Sequence, residues 1–188
     1  MRKNWHIGYI GEGKYSTNNL KEYRLWFRIH QRCNSNDFHI KHPTYKDCKV
    51  CEEWHNFQNF AEWCQTQPNF RMDGFELDKD LKLFGNKIYG PEYCSFVPQE
   101  INCLLNDSKA MRGLCPQGVC YRKSRKKFRV RLSINNKSKE LGSYNTPEEA
   151  FKVYKNEKET HIKFMANKHK NILDIEIYNN LINYKMEI

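Results

Sequence analysis

From Phe128 to Ser133 apolar and cationic residues alternate one for one. Side chains on a strand point to opposite sides in turn, so Phe128, Val130 and Leu132 share one face and Arg129, Arg131 and Ser133 share the other. Arg122 joins the cationic face if Val119 and Tyr121 lie on the apolar one. Asn135-Asn136 tolerates positive φ and predicts a tight turn into a third strand over SKELGSY. Thr146 then supplies an N-cap, Pro147 a first-turn proline and Glu149 the acid three residues on. Beyond that start, Ala150, Phe151, Tyr154, Ile162 and Met165 recur at helical spacing and can cover the sheet. The pattern predicts a three-stranded antiparallel sheet packed on a helix, within an α+β chain.

Upstream, Tyr23, Trp26, Phe27 and His30 recur at helical spacing, and a polar stretch read as a loop runs to Tyr45. Tyr45 to Val50 reads as extended. Glu53 to Gln65 reads as a helix whose Trp54, Phe57, Phe60 or Ala61, and Cys64 line one side. A strand, a Gly85-Asn86 turn, a second short strand and a helix from Val97 to Leu104 follow. At the C-terminal end, Ile172, Ile175, Tyr178 and Ile182 predict a closing helix, although β-branched content also admits a strand. The expected organisation is a first domain over residues 1–106, a linker over 107–117, a basic module over 118–170 and a C-terminal helix over 171–188.

Charge sharpens this division. The chain has 188 residues and a net charge of +10, and residues 109–170 hold 17 basic against 5 acidic side chains, while the rest holds 15 against 17. Arg122, Lys123, Arg125, Lys126, Lys127, Arg129 and Arg131 are the candidate phosphate- and base-contacting set, and double-stranded DNA is the expected partner. A solvated charge run would not keep the arginines in register with core positions. No run approaches the ~18 apolar residues that cross a bilayer, so no membrane partner is expected. The opening residues lack the apolar stretch of a secretory signal, which predicts a cytoplasmic protein whose eight cysteines stay free. Cys48 and Cys51 form a single CxxC pair near Cys33, His39, His42 and His55. Without a second pair, core packing is expected there rather than structural zinc. Cys94 and Cys103 also fall at apolar positions. None of these patterns fixes an oligomeric state.

Candidate chemistry lies between Leu77 and Asn102. If Leu77-Asp78-Lys79-Asp80-Leu81 is one strand, Asp78 and Asp80 project to one face and Lys79 to the other. Asn102 falls on the helix that follows. Carboxylate and amide oxygens on neighbouring elements suit a hard cation such as Mg²⁺ or Mn²⁺. The plain alternative is an edge strand with solvated charges and a structural asparagine.

Two family resemblances bear on these residues. GVCYR, a basic turn into FRVRLSI, and KELGSYNTPEEAFKVY resemble the APETALA2 (ethylene-response-factor) type of DNA-binding domain in its phage and bacterial form, over about 50 residues. That resemblance implies a sheet lying in the major groove with Arg122, Arg129 and Arg131 on its DNA face. Cys120 stands where the plant domains usually have a base-reading arginine, and Phe128 and Glu140 replace their tryptophans. The stretch from Trp26 to Asn102, with HPTY, VCEEW, LDKD, GNKIYGPEYCSFVP and EIN, resembles the phage HNH-type endonucleases. This second resemblance implies a ββα-metal fold with Asp78 and Asn102 as ligands of one divalent ion, Lys79 in the place of the base histidine, and Lys79 and Asp80 orienting water or neutralising charge. The implied activity is metal-dependent nicking or double-strand cleavage of DNA. The alternative is a catalytically inactive phage DNA-binding protein acting as a regulator or an inhibitor of host machinery.

Overall fold

Aromatic residues at helical spacing build the first of two units, Met1–Gln99 and Glu100–Ile188. The computed structural model describes residues 7–18, 21–106, 115–134 and 137–187. In the first unit, α1 (Lys21–Asn34) buries Trp26, Ile29, His30 and Cys33. It packs on α3 (Phe57–Thr66), which buries Phe57, Phe60, Ala61 and Cys64. The Trp26 indole N–H donates to the Trp54 carbonyl at 2.6 Å, so the ring enters the core with its polar group satisfied.

The stretch expected as a loop before Tyr45 contains a short helix, α2 (Asn36–Lys41), because the Ser35 hydroxyl accepts from the Phe38 N–H and nucleates it. The helix expected from Glu53 begins instead at Phe57. Asn56 takes the cap position and accepts from the Gln58 N–H, and a 3₁₀ turn over Glu52–His55 precedes it. Expected extended structure up to Val50 shrinks to β1 (Lys49–Val50), preceded by a 3₁₀ turn over Pro43–Tyr45.

β2 (Phe75–Asp78) pairs antiparallel with β4 (Ser95–Pro98), and β1 pairs in parallel with β3 (Ile88–Tyr89). The strands on either side of Gly85-Asn86 are therefore not partners of one hairpin. A four-residue helix, α4 (Gln99–Asn102), follows β4 directly, and the unit boundary falls after its first residue.

The second unit carries β5 (Val119–Arg122), β6 (Lys127–Ile134) and β7 (Lys137–Tyr144) in a three-stranded antiparallel sheet. The Asn135-Asn136 turn lies outside the described residues. α5 (Pro147–Lys168) starts at Thr146, whose hydroxyl accepts from the Glu149 N–H at 3.2 Å. Its Ala150, Phe151 and Tyr154 join Val119, Val130, Leu132 and Met186 in one buried cluster. Ile162 and Met165 are also buried but stand outside that sheet cluster. The closing helix α6 (Ile175–Ile182) is shorter than the expected segment and faces inward through Ile177 and Leu181. Ile175 is 66% exposed, because the inward pair sits one i, i+4 step apart on the other side of the helix.

The chain is thus mixed α+β, with six α-helices among the described residues. The second unit begins at Glu100 and includes the closing helix, so the expected boundaries at 106 and 170 are not those of the units. Of the expected linker, residues 107–114 lie outside the described residues, and Cys115 is packed against the sheet core. Among the described residues no helix is long and apolar enough to cross a membrane.

Candidate nucleic-acid interface

Register fixes which side chains share the outer face of the sheet. Val119 pairs with Val130 and Tyr121 with Phe128 on the side that meets α5, while Cys120 pairs with Arg129 and Arg122 with Lys127 on the opposite side. Val130 and Leu132 are buried and Arg131 and Ser133 exposed, so the alternation expected for β6 is present in burial as well as in sequence. Arg129 pairs with Ser143 and Arg131 with Glu140 across β7. Lys123, Arg125 and Lys126 occupy the turn between β5 and β6, all exposed. The Arg125 N–H donates to the Arg122 carbonyl at 3.2 Å, and Lys126 takes a φ of 50° to complete the reversal. The seven expected cations therefore divide into four on the outer face and three at one end of it.

A cleft of about 390 Å³ beside β5 is lined by Cys115, Gly118, Val119, Cys120, Tyr121, Arg129 and Arg131. Among the described residues the buried Arg129 Nε has no hydrogen-bond partner, whereas Lys127 Nζ donates to the Asn145 side chain at 2.5 Å. Gly118 is held close to α5. Its φ is +74°, and a Cβ there would enter the Tyr154 ring, so only glycine lets the chain pass this close to α5.

In the first unit, the acidic residues are arranged differently from expectation. β2 ends at Asp78, so Asp78 and Asp80 do not share a strand face. The reason is local: Asp78 Oδ1 accepts from the N–H groups of Asp80 at 2.9 Å and Leu81 at 2.7 Å, which folds the chain into a turn. Burial pushes the Asp78 carboxyl above its usual range, against the opposing pull of the Leu81 N–H.

Lys79 is only 7% exposed. Its ammonium donates to Asp80 Oδ1 at 2.5 Å and to the Asn86 carbonyl at 3.0 Å, and it lies 5.7 Å from the centre of the Tyr89 ring. Asn86 completes the clamp, donating from its side chain to the carbonyls of Lys79 and Ile88 and accepting from the Ile88 N–H. Lys79 therefore fastens the β2–β3 connection. All of its neighbours here are acceptors or a ring face.

Asn102 ends α4 and belongs to the second unit, whereas Asp78 belongs to the first. The helix expected from Val97 to Leu104 is reduced because Val97 and Pro98 still pair in β4. Cys103 is consequently exposed rather than packed, while Cys94 is fully buried. Cys48 is buried and Cys51 packs at the core edge, both as free thiols. Among the described residues no group of three or more His, Cys, Asp or Glu side chains converges on a common point.

Three contributors escaped sequence reasoning. Asn86 carried no signal beyond its place after Gly85. Gly118 was visible only as the start of a strand. Glu140 belongs to the outer face because β7 carries a bulge opposite Val130 and Arg131, which alternation cannot reveal. Comparison with family models, curated proteins and solved structures finds no match to this chain.

Proposed function

We propose that this protein binds duplex DNA through the outer face of the β5–β7 sheet. The observation that carries the reading is the split in β6, where Val130 and Leu132 anchor the strand on α5 and Arg129 and Arg131 are left on the outer side. Three strands spaced ~4.8 Å apart make a ribbon about 10 Å across, which fits the ~12 Å major groove.

Counterion release gives the test. If about five of the seven cations between Arg122 and Arg131 neutralise phosphates, log Kobs falls with log salt at a slope near −4.5, about 500-fold between 50 and 200 mM. Fluorescence anisotropy with a labelled duplex reads this directly. A slope flatter than about −1, or tighter binding to RNA than to DNA, would overturn the proposal.

A second reading, an HNH-type endonuclease, is favoured by the order β2, β4, α4 with an acid closing the first strand. In that reading Asp78 is the carboxylate ligand of one Mg²⁺ or Mn²⁺. The donor set fits such an ion on chemical grounds, since Mg²⁺ takes one or two carboxylates and completes its shell with water and substrate phosphate oxygens. When bound, the ion would polarise the scissile phosphate and stabilise the leaving oxygen. In the same reading Lys79 and Asp80, hydrogen-bonded to each other in the turn beside Asp78, orient water or neutralise charge. Incubating supercoiled plasmid with the protein in Mg²⁺, Mn²⁺ or EDTA tests this reading. Divalent-dependent nicked or linear product that disappears in Asp78→Ala supports it; intact plasmid in every lane leaves a DNA-binding protein without cleavage, a regulator or inhibitor.

A further inference from the structure

We infer that Glu140 determines sequence preference, accepting the N4–H of a cytosine in the major groove beside a guanine held by Arg131; the inference rests on the DNA-binding reading above. Glu140 is the single acid between Val119 and Tyr144, against nine lysines and arginines in the same stretch. On a surface that meets phosphates such a carboxylate costs affinity by repulsion, so its position is informative.

The position follows from the bulge. Counting back from Ser143, which pairs with Arg129 on the outer face, strict alternation would place Leu141 outward and Glu140 toward α5. The structure does the opposite: Val130 pairs with Gly142 and Arg131 with Glu140, so Leu141 is the extra residue and packs at the sheet core. Gly142, at φ +124°, supplies the backbone conformation that this shift needs. The next residue back, Lys139, reaches Glu157 on α5 at 2.5 Å, which confirms that Glu140 faces away from the helix.

Glu140 is exposed, and no hydrogen bond or ion pair engages its carboxylate among the described residues. Its direct cross-strand neighbour is Arg131, with Cβ atoms ~5 Å apart in such pairs. An ionised carboxylate only accepts hydrogen bonds. In the major groove cytosine offers the N4–H donor and guanine the O6 and N7 acceptors, so an adjacent Glu and Arg complement one C·G pair or two stacked ones. Ser138 and Ser143 on the same face are small and add no competing charge.

The test is selection of bound duplexes from a randomised DNA library by the full-length protein, followed by the same selection with E140Q, E140A and Arg131→Ala. The wild type should prefer cytosine at one position by on the order of tenfold, next to a preferred guanine. E140Q should move that one preference toward adenine, since an amide both donates and accepts at the adenine edge, and E140A should abolish it. Arg131→Ala should flatten the guanine position. If both Glu140 variants bind every sequence more tightly with an unchanged preference pattern, the carboxylate acts only as a bulk charge and the inference is overturned while DNA binding stands. If the wild type retains no duplex from the library, the DNA-binding reading fails and the inference fails with it.

Discussion

Replacing Gly118 with alanine tests how the cationic face is held in shape. Gly118 has φ +74°, and its carbonyl accepts from the Arg131 N–H at 2.9 Å, so it couples the start of β5 to an outer-face arginine. A left-handed conformation costs a non-glycine residue about 1–2 kcal/mol. The added methyl would also collide with the Tyr154 ring, which is part of the buried sheet cluster, and relieving such overpacking costs about 1–3 kcal/mol. Together these give about 2–5 kcal/mol, confined to the second unit. Tryptophans occur only at positions 5, 26, 54 and 63, all in the first unit, so indole fluorescence follows that unit alone. Urea titrations should show the indole transition unmoved, while hydrogen exchange in β6 and α5 accelerates. Tyr154→Leu in the Gly118→Ala background should recover part of the loss, because the two changes share one clash. A Gly118→Ala protein within about 0.5 kcal/mol of wild type in β6 exchange would refute the packing argument.

Two further outcomes concern the first unit. Burial raises the folded-state pKa of Asp78 above its unfolded value, so the stability contributed by its neutral form is present below the usual carboxylate range and is lost as pH rises through the raised value. Asp78→Asn, which keeps the acceptor for the Asp80 and Leu81 N–H groups, should flatten that dependence and stabilise the unit at pH 7. Asp78→Ala should cost about 1–2 kcal/mol through loss of both bonds, and equal stability of the two variants would contradict the turn clamp. Thiol titration of native protein should modify Cys103 and Cys120 quickly. Cys33, Cys48, Cys64 and Cys94 should react only on unfolding, since all four are buried, and burial pushes the Cys33 thiol up to about 12 and also raises those of Cys64 and Cys94. Rapid modification of any of these four would contradict the packing described.

The parts of the fold that sequence revealed are those set by local periodicity. Phe128 to Leu132 repeats with period two next to a capped helix start at Thr146, and both features survive because burial and hydrogen bonding agree with propensity. Non-local choices were hidden. β2 pairs with β4 across a sixteen-residue connection, and β3 pairs with β1 from before α3, neither of which periodicity specifies. The LDKD segment misled because aspartate can satisfy the backbone of its own successors, so Asp78 ends the strand that alternation would extend. The hydrogen bonds that tie Lys79 to Asp80 and Asn86 cross a seven-residue turn and leave no mark in the LDKD motif. The bulge at Leu141 left Glu140 on a face that counting residues would have denied it.

The central claim is that one face of one sheet binds duplex DNA, and the most direct measurement is anisotropy of a labelled duplex with wild type and with Arg122, Arg129 and Arg131 all changed to Ala. These three side chains stand on the outer face, and Val130 and Leu132, which hold the sheet on α5, are untouched. Circular dichroism should therefore match wild type. At 100 mM salt the account predicts affinity reduced by at least about 100-fold and a salt slope shallower by roughly 2–3. Unchanged affinity in a folded triple variant would contradict it.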